Sequence, residues 1–156
     1  MSVSALFPGS KVRLRDLGGG SGTYSALLAK SYMDLEAVVF DLPSTVEVAA
    51  HIGIPTLLGV PDRVSFWAGD YFRDSFPADN FDIVLLSQIL HNHGDEDNIA
   101  LLLRARNALA PGGMILIWQQ LLRDDLSGPE ICALLGVQRL LLGEGRTLCD
   151  SEVTLD

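Results

Sequence analysis

Short apolar runs alternate along this chain with segments whose apolar residues recur at helical spacing. Four of the runs predict strands, namely Val12–Leu17, Ala37–Leu42, Val64–Ala68 and Phe81–Ser87, and Met114–Trp118 predicts a fifth. The near-continuous apolar character of the fourth run is typical of a strand buried on both faces. The pattern therefore predicts about five strands.

The segments between the runs predict helices. They cover the ranges Gly22–Tyr32, Pro43–His51, Asp97–Ala110 and Pro129–Leu142. In the third helix, four residues share one face at helical spacing and predict its buried side: Ile99, Leu102, Leu103 and Leu109.

Local turn and cap signals bound the last elements. Ala110–Gly113 predicts a turn, because proline presets φ and glycine permits a positive φ. Thr147 and Asp150 have the spacing of a capping box, which predicts the start of one further helix.

Strands that alternate with helices predict an α/β fold, with a doubly wound, mainly parallel sheet and right-handed crossovers. The length of 156 residues suits one domain, so we expect a single domain over residues 1–156. Ligands of such sheets bind outside the carboxyl ends of the strands. The residues that directly follow each strand are therefore the candidates for a site.

Composition narrows the ligand class. Twenty acidic residues against eleven Lys and Arg give a net charge of −9, which argues against nucleic acid and favours a small molecule. No apolar run has the length of a membrane span, and the first ten residues lack the layout of a signal peptide. A cytoplasmic protein without membrane association is the expectation.

A glycine-rich turn, Asp16–Gly22, follows the first strand. Such a turn lets the backbone approach a ligand closely, and the next helix offers free N–H groups. Gly18, Gly20 and Gly22 give G-x-G-x-G, whereas the dinucleotide fingerprint needs glycine where Thr23 stands. At the end of the first strand, a ligand-binding turn is favoured over a plain tight turn.

Acids follow the second and third strands. Asp41 can accept both hydroxyls of a ribose or can cap the next helix, and the glycine turn beside it favours the ribose. Asp70 can accept from an adenine amino group while Tyr71 or Phe72 packs on the ring. Taken without the other two sites, this third segment would be better interpreted as a surface turn with two core aromatics.

Histidines follow the fourth strand. His91 is the best candidate for a general base, because histidine is the side chain that titrates near neutrality. His91 and His93 precede three acids, but alternation along the chain supplies only two ligands for a metal. The acids Asp95 to Asp97 fit the opening of a helix better, where they complement the dipole.

In order, the strings DLGGGSG, FDLP, GDYF, LHNHGDED and LAPGG resemble class I methyltransferases, which have a Rossmann-like domain. The resemblance is closest to the O-methyltransferases that include the caffeate and acetylserotonin enzymes, and Leu121 to Thr147 continues it. It implies S-adenosylmethionine as cofactor and direct methyl transfer to a hydroxyl of a small, aromatic acceptor, without a metal.

The same resemblance implies roles for ten residues. The cofactor-binding residues are Gly18, Gly20, Asp41, Leu42, Asp70, Tyr71 and Ser87. Gly18 would line the methionine moiety, and Ser87 stands where plant relatives carry Lys or Arg. The catalytic residues are His91 as the base, with Gln119 and Asp150 at the two positions where the family has acids beside it.

Some features depart from the family pattern. Asn92 and His93 replace Asp and Trp, and Gln119 cannot supply the negative charge that favours an imidazolium. Arg13 and Arg15 lie in a strand that should be apolar, and the sequence offers no firm account of them.

Family members are homodimers that carry an N-terminal dimerisation domain and end in a strand hairpin. We expect this chain to be a catalytic-domain fragment that lacks both features, with an incomplete sheet. Two alternatives stay open: a relic that binds the cofactor without catalysis, and a nicotinamide-dependent oxidoreductase. The missing third glycine and the lack of a Tyr-x-x-x-Lys pair count against the oxidoreductase.

Overall fold

A computed structural model describes residues 11–74, 80–142 and 148–149. The strands in these ranges are β1 (Val12–Leu17), β2 (Leu35–Asp41), β3 (Val64–Ala68), β4 (Phe81–Ser87), β5 (Leu109–Trp118), β6 (Leu121–Leu122) and β7 (Leu148–Cys149). The helices are α1 (Thr23–Ser31), α2 (Pro43–Ile52), α3 (Ile54–Leu57), α4 (Asp95–Asn107) and α5 (Glu130–Leu142). Single 3-10 turns cover Pro61–Arg63 and Leu90–Asn92.

Five strands form one sheet in the order β3-β2-β1-β4-β5. The pairs β1–β2, β1–β4 and β2–β3 are parallel, and Leu17 at the end of β1 lies opposite Phe40 and Leu86. The strand order reverses between β1 and β4, and sheets of this type bind ligands at such a point, outside the carboxyl ends of the strands. The predicted α/β, Rossmann-like fold with a mainly parallel sheet is confirmed.

The chain divides into two compact units. The first comprises Met1–Ser87 and Leu101–Ile117 and holds nearly all of the five-stranded sheet. The second comprises Gln88–Ala100 and Trp118–Asp156 and holds α5 and the pair β6–β7. The expectation of a single domain over residues 1–156 stays a prediction.

An apolar core covers one face of the sheet in the first unit. Alternate residues of β1, such as Val12 and Leu14, are buried there against Ala26 and Ala29 of α1. Each buried Val or Leu side chain contributes about 1.5–3 kcal/mol relative to exposure. The small alanines let α1 lie close to the sheet, so the glycine turn before it is held firmly.

Aromatic rings account for the arginines of β1. Arg15 is wholly buried, and its guanidinium carbon lies 4.3 Å from the ring centroid of Phe81, 5.2 Å from Trp67 and 5.8 Å from Phe40. Arg13 lies over the same Phe81 ring at 4.8 Å. Attraction between a cation and ring faces offsets part of the cost of burial. Sequence pattern alone could not predict this, because the rings come from three other strands.

The first residues of β5 correct a predicted turn. Ala110–Gly113 lies inside the strand, which begins at Leu109. Gly112 has φ 83°, and a Cβ on Gly113 would lie 3.0 Å from the backbone oxygen of Phe81. The two glycines therefore let the chain run on against the start of β4, where larger residues would end the strand.

The buried face of α4 also differs from the prediction. The helix covers Asp95–Asn107, and Ile99 and Leu103 on the predicted face are more than half exposed. The buried side chains are instead those of Asn98, Leu101 and Ala105. Counting large apolar residues was misleading because this helix buries an alanine and a hydrogen-bonded asparagine.

The predicted helix start at Thr147–Asp150 is wrong for the two residues described there. Leu148 and Cys149 form β7, which pairs parallel with Leu121 and Leu122 of β6. Backbone pairing with β6 outweighs the local capping signal. Thr147 and Asp150 themselves lie outside the described residues.

Candidate functional site

The glycine turn between β1 and α1 depends on left-handed backbone. Gly18, Gly20 and Gly22 have φ of 67°, 57° and 74°, a region that other residues rarely adopt. The N–H of Gly18 donates to the backbone oxygen of Phe40 at 2.8 Å, which joins the turn to β2. A Cβ on Gly22 would lie 2.9 Å from the Phe66 ring. The turn thus presents backbone at the carboxyl end of the sheet.

Asp41, the last residue of β2, is oriented by this turn. Its Oδ2 accepts from the N–H of Gly20 at 2.9 Å, and its Oδ1 accepts from the N–H of Leu42 at 2.7 Å. Each carboxylate oxygen can accept a further hydrogen bond. The structure therefore brings the predicted residues Gly20, Asp41 and Leu42 together, with the carboxylate fixed in place.

The end of β3 lies beside the end of β2. The N–H of Gly69 donates to the backbone oxygen of Asp41 at 2.9 Å, and Oδ1 of Asp70 accepts from the N–H of Phe72 at 2.8 Å. Burial raises the pKa of the Tyr71 phenol, and the charges of Asp41 and Asp70 raise it further. The predicted residues Asp70 and Tyr71 therefore gather near Asp41.

Two buried polar atoms lie at the carboxyl ends of β1 and β4. Asp16 accepts from the Ser25 hydroxyl at Oδ2, 2.7 Å away, but its Oδ1 has no hydrogen-bond partner among the described residues. The same holds for Oγ of Ser87. An unsatisfied buried polar atom costs about 1–3 kcal/mol. Both atoms therefore favour a polar ligand at this end of the sheet.

Asp16 received no role from the sequence, although it opens the glycine motif. Burial raises its pKa to about 6, the Ser25 hydrogen bond opposes this, and the charge of Asp41 adds to it. A Cβ on Gly19 would lie 2.5 Å from the Asp16 carboxyl, so that carboxyl is pressed against the turn. An acid near the end of a strand, two residues before the first glycine of the turn, is the signal that could have identified it.

The second unit holds the candidate catalytic residues. His91 lies in the 3-10 turn Leu90–Asn92 and is buried, and its Nδ1 is 2.5 Å from Nε2 of Gln119. Burial lowers the pKa of the half-buried His93, and this outweighs the opposite effect of Asp97. His91 and Gln119 are thus in contact, whereas Asp150 lies outside the described residues.

Asn98 holds the turn that carries His91. Its side-chain amide donates to the backbone oxygens of Leu90 at 2.9 Å and His93 at 3.3 Å. These two residues lie on either side of His91 in the chain, so one buried amide clamps both. No sequence signal marked Asn98, since a polar residue on a helix is normally placed on the solvent side.

The described ranges contain neither a group of side chains that could hold a metal ion nor a helix that could span a membrane. Within residues 11–74, 80–142 and 148–149, no three side chains of His, Cys, Asp and Glu are grouped to hold a metal ion. In this part of the chain His91 and His93 are therefore not joined by a third ligand. No helix in the same ranges is long and apolar enough to cross a membrane.

A family model described as an O-methyltransferase domain matches residues 6–154. Acetylserotonin O-methyltransferase of Mus musculus is 37% identical over 139 residues, which cover 88% of this chain and 35% of that protein. The 3-hydroxy-5-methyl-1-naphthoate 3-O-methyltransferase of Streptomyces sahachiroi is 34% identical over 142 residues, which cover 91% and 40%.

Solved structures of methyltransferases are also similar to this chain. An O-methyltransferase family 2 protein from Planctomyces limnophilus, in complex with apigenin, has a TM-score of 0.83 at 34% identity over 94% of this chain and 42% of that one. Human N-acetylserotonin methyltransferase, in complex with S-adenosylmethionine, has a TM-score of 0.79 at 29% identity over 96% and 40%. The chain thus spans less than half the length of the proteins it matches.

Proposed function

Because the chain belongs to the family of O-methyltransferase domains, we propose that it binds S-adenosylmethionine and transfers its methyl group to a hydroxyl of a small, aromatic acceptor. The proposal rests on two buried atoms at the carboxyl ends of β1 and β4, Asp16 Oδ1 and Ser87 Oγ, which lack a hydrogen-bond partner among the described residues. A human relative is solved with S-adenosylmethionine, and the names of other relatives contain aromatic hydroxy compounds. The family match removes the oxidoreductase alternative.

The described residues fit the cofactor in three parts. We assign the methionine moiety to the turn backbone at Gly18 and Gly20, where glycine leaves room for close approach. The ribose hydroxyls fall to the free acceptor positions of Asp41, beside Leu42. We assign Asp70 and Tyr71 to the adenine. Ser87, the last residue of β4, is assigned as a further cofactor contact.

His91 is proposed as the general base. When bound, S-adenosylmethionine supplies an electrophilic methyl group on a sulfonium centre. A ring nitrogen of His91 removes the proton of the acceptor hydroxyl, so that its oxygen becomes a stronger nucleophile. Gln119 orients the imidazole through Nδ1, and the Asp150 carboxylate is proposed as a second neighbour. Positioning and proton removal are then the protein's whole contribution.

A second candidate function is a binding domain without transfer. The observation in its favour is the contact of His91 with the neutral Gln119, because an amide does not stabilise an imidazolium as a carboxylate does. The two candidates share the cofactor site and differ only in the second unit.

One experiment separates the two candidates. The chain and its His91→Ala variant are incubated with labelled S-adenosylmethionine and a panel of hydroxylated aromatic compounds, and cofactor affinity is measured alongside. We expect transfer by the chain and a loss of about 10²–10⁴-fold in the variant, at equal cofactor affinity. Equal rates in both proteins would contradict the role of His91, and binding without any transfer would favour the second candidate.

A further inference from the structure

Two glutamine side chains adjoin His91 in the second unit. Nε2 of Gln119 lies 2.5 Å from Nδ1 of His91 and 3.5 Å from Oε1 of Gln88. Gln88 directly follows β4, and its backbone N–H donates to the backbone oxygen of Trp118 at 2.8 Å. This backbone bond places Gln88 next to Gln119 and makes a short polar chain that runs from Gln88 through Gln119 to His91.

The partner of Nδ1 decides which ring nitrogen of a neutral imidazole holds the proton. If Gln119 presents its amide nitrogen, Nδ1 must accept, and the proton lies on Nε2. If Gln119 presents its amide oxygen, Nδ1 carries the proton and donates, and Nε2 keeps its lone pair. Only the second arrangement lets Nε2 of His91 act as a base.

The groups around Gln119 determine which of its amide atoms, nitrogen or oxygen, faces His91. With its nitrogen toward His91, Oε1 of Gln119 is buried and lacks a hydrogen-bond partner among the described residues. A half-turn of the amide puts the nitrogen into the same surroundings, so a similar cost remains. The groups at the contact position, which are His91 and Gln88, therefore decide between the two.

We propose that Gln88 is a positioning residue that keeps the proton of neutral His91 on Nδ1, an inference that rests on the proposed role of His91 as base. This form differs from the arrangement above, in which Nε2 of Gln119 donates to Oε1 of Gln88, by a half-turn of both amides, so that the nitrogen of Gln88 donates to Oε1 of Gln119. The N–H at Nδ1 of His91 donates to the same oxygen. The pair of glutamines thus does, without charge, the orienting that an acid at position 119 would do.

The ring state of His91 can be measured directly. Side-chain ¹⁵N shifts of the labelled chain are recorded at about pH 9, where imidazoles are neutral, and the His91→Gln variant assigns the signals. His51, in the first unit, is an internal reference. Its Nδ1 lies 2.8 Å from the backbone oxygen of Glu47, which can only accept, so the proton is on Nδ1. We expect His91 to show the same form.

Substitutions at Gln88 change only what it offers to Gln119. Gln88→Glu keeps the length of the side chain and again places a non-glycine residue at a φ of 58°. Its carboxylate, however, can only accept hydrogen bonds. We expect the proton of His91 to move mainly to Nε2 in this variant. Gln88→Met offers neither donor nor acceptor and should give a mixture. Adding Gln119→Glu, which only accepts, should restore the Nδ1 form in both backgrounds.

The proposal fails if wild-type His91 carries its proton on Nε2, or if Gln88→Glu leaves the ring state unchanged in a folded chain. If Gln88→Glu does not fold, an unchanged ring state in Gln88→Met overturns the proposal instead. Methyl-transfer rates distinguish the positioning role of Gln88 from the role of His91 as base. We expect Gln88→Glu to lower kcat about tenfold at unchanged KM for the cofactor. Full transfer by His91→Gln would contradict the base and leave the ring measurement intact.

Discussion

Single residues at the carboxyl end of the sheet are fixed before any ligand arrives. The Asp41 carboxylate is held by the N–H groups of Gly20 and Leu42, and Oδ2 of Asp16 accepts from the Ser25 hydroxyl. Such preorganisation lowers the entropy that a ligand must lose on binding. Asp16 is the residue where this arrangement costs stability, because its charged form is poorly solvated.

We predict that Asp16 makes the folded state less stable as pH rises from about 4 to about 6. Burial raises its pKa from 3.8 to about 6, so the unfolded chain loses this proton at a lower pH than the folded chain does. The free energy of unfolding therefore decreases as pH rises through this range. Urea unfolding should show a loss of about 1–1.5 kcal/mol between pH 5 and pH 8 that is absent in Asp16→Asn. An equal pH slope in both proteins would contradict a raised pKa for the buried Asp16 carboxyl.

The sequence indicated Asp41, Asp70 and His91 as candidate site residues but gave no role to Asp16 or Asn98. The first three stand where strand ends and polar residues coincide, which a pattern can locate. The importance of Asp16 and Asn98 comes from burial and from hydrogen bonds to residues elsewhere in the fold. These depend on tertiary packing, so no local pattern contains them.

At the scale of elements, strands were predicted better than the helix between β4 and β5. The bounds of β1, β3 and β4 agree with the prediction, because β1 and β3 are followed directly by glycine and β4 ends at a polar serine. The buried face of α4 was predicted wrongly, because Asn98 replaces an apolar residue in its buried row. Hydrophobic spacing locates elements reliably only where large apolar residues do the packing.

Gly113 is predicted to be essential for the approach of β5 to β4. In Gly113→Ala the new methyl would lie 3.0 Å from the backbone oxygens of Phe81 and Asp82, and neither can move without shifting a strand. We expect a loss of about 1–3 kcal/mol in urea unfolding. Gly94→Ala is the matched control, because no atom lies within 4 Å of its added Cβ. Equal effects of the two substitutions would refute this packing.

The clamp formed by Asn98 is expected to stabilise the turn that carries His91. Asn98→Ala removes the donors to the backbone oxygens of Leu90 and His93 and should cost about 1–3 kcal/mol of unfolding free energy. Asn107→Ala, at the exposed end of the same helix, should change it by less than about 0.5 kcal/mol. The idea is lost if both substitutions have the same small effect.

For the whole molecule, we propose that residues 1–156 fold as one cooperative domain. Trp67 lies in the first compact unit and Trp118 in the second, so Trp67→Phe and Trp118→Phe leave one reporter in each unit. Within each variant, we expect tryptophan fluorescence and far-UV circular dichroism to give the same midpoint in urea, since small single domains usually unfold in one step. Two separated midpoints would show two independent domains instead.

Calorimetric titration of the chain with S-adenosylmethionine measures cofactor binding at the carboxyl end of the sheet. The proteins to compare are the wild type, Asp41→Ala and the control Asp62→Asn, whose exposed acid lies in the 3-10 turn before β3. We expect saturable binding that weakens at least about tenfold in Asp41→Ala and is unchanged in the control. A cofactor site at this end of the sheet is ruled out if the wild type does not bind S-adenosylmethionine, or if Asp41→Ala binds it as tightly as the wild type.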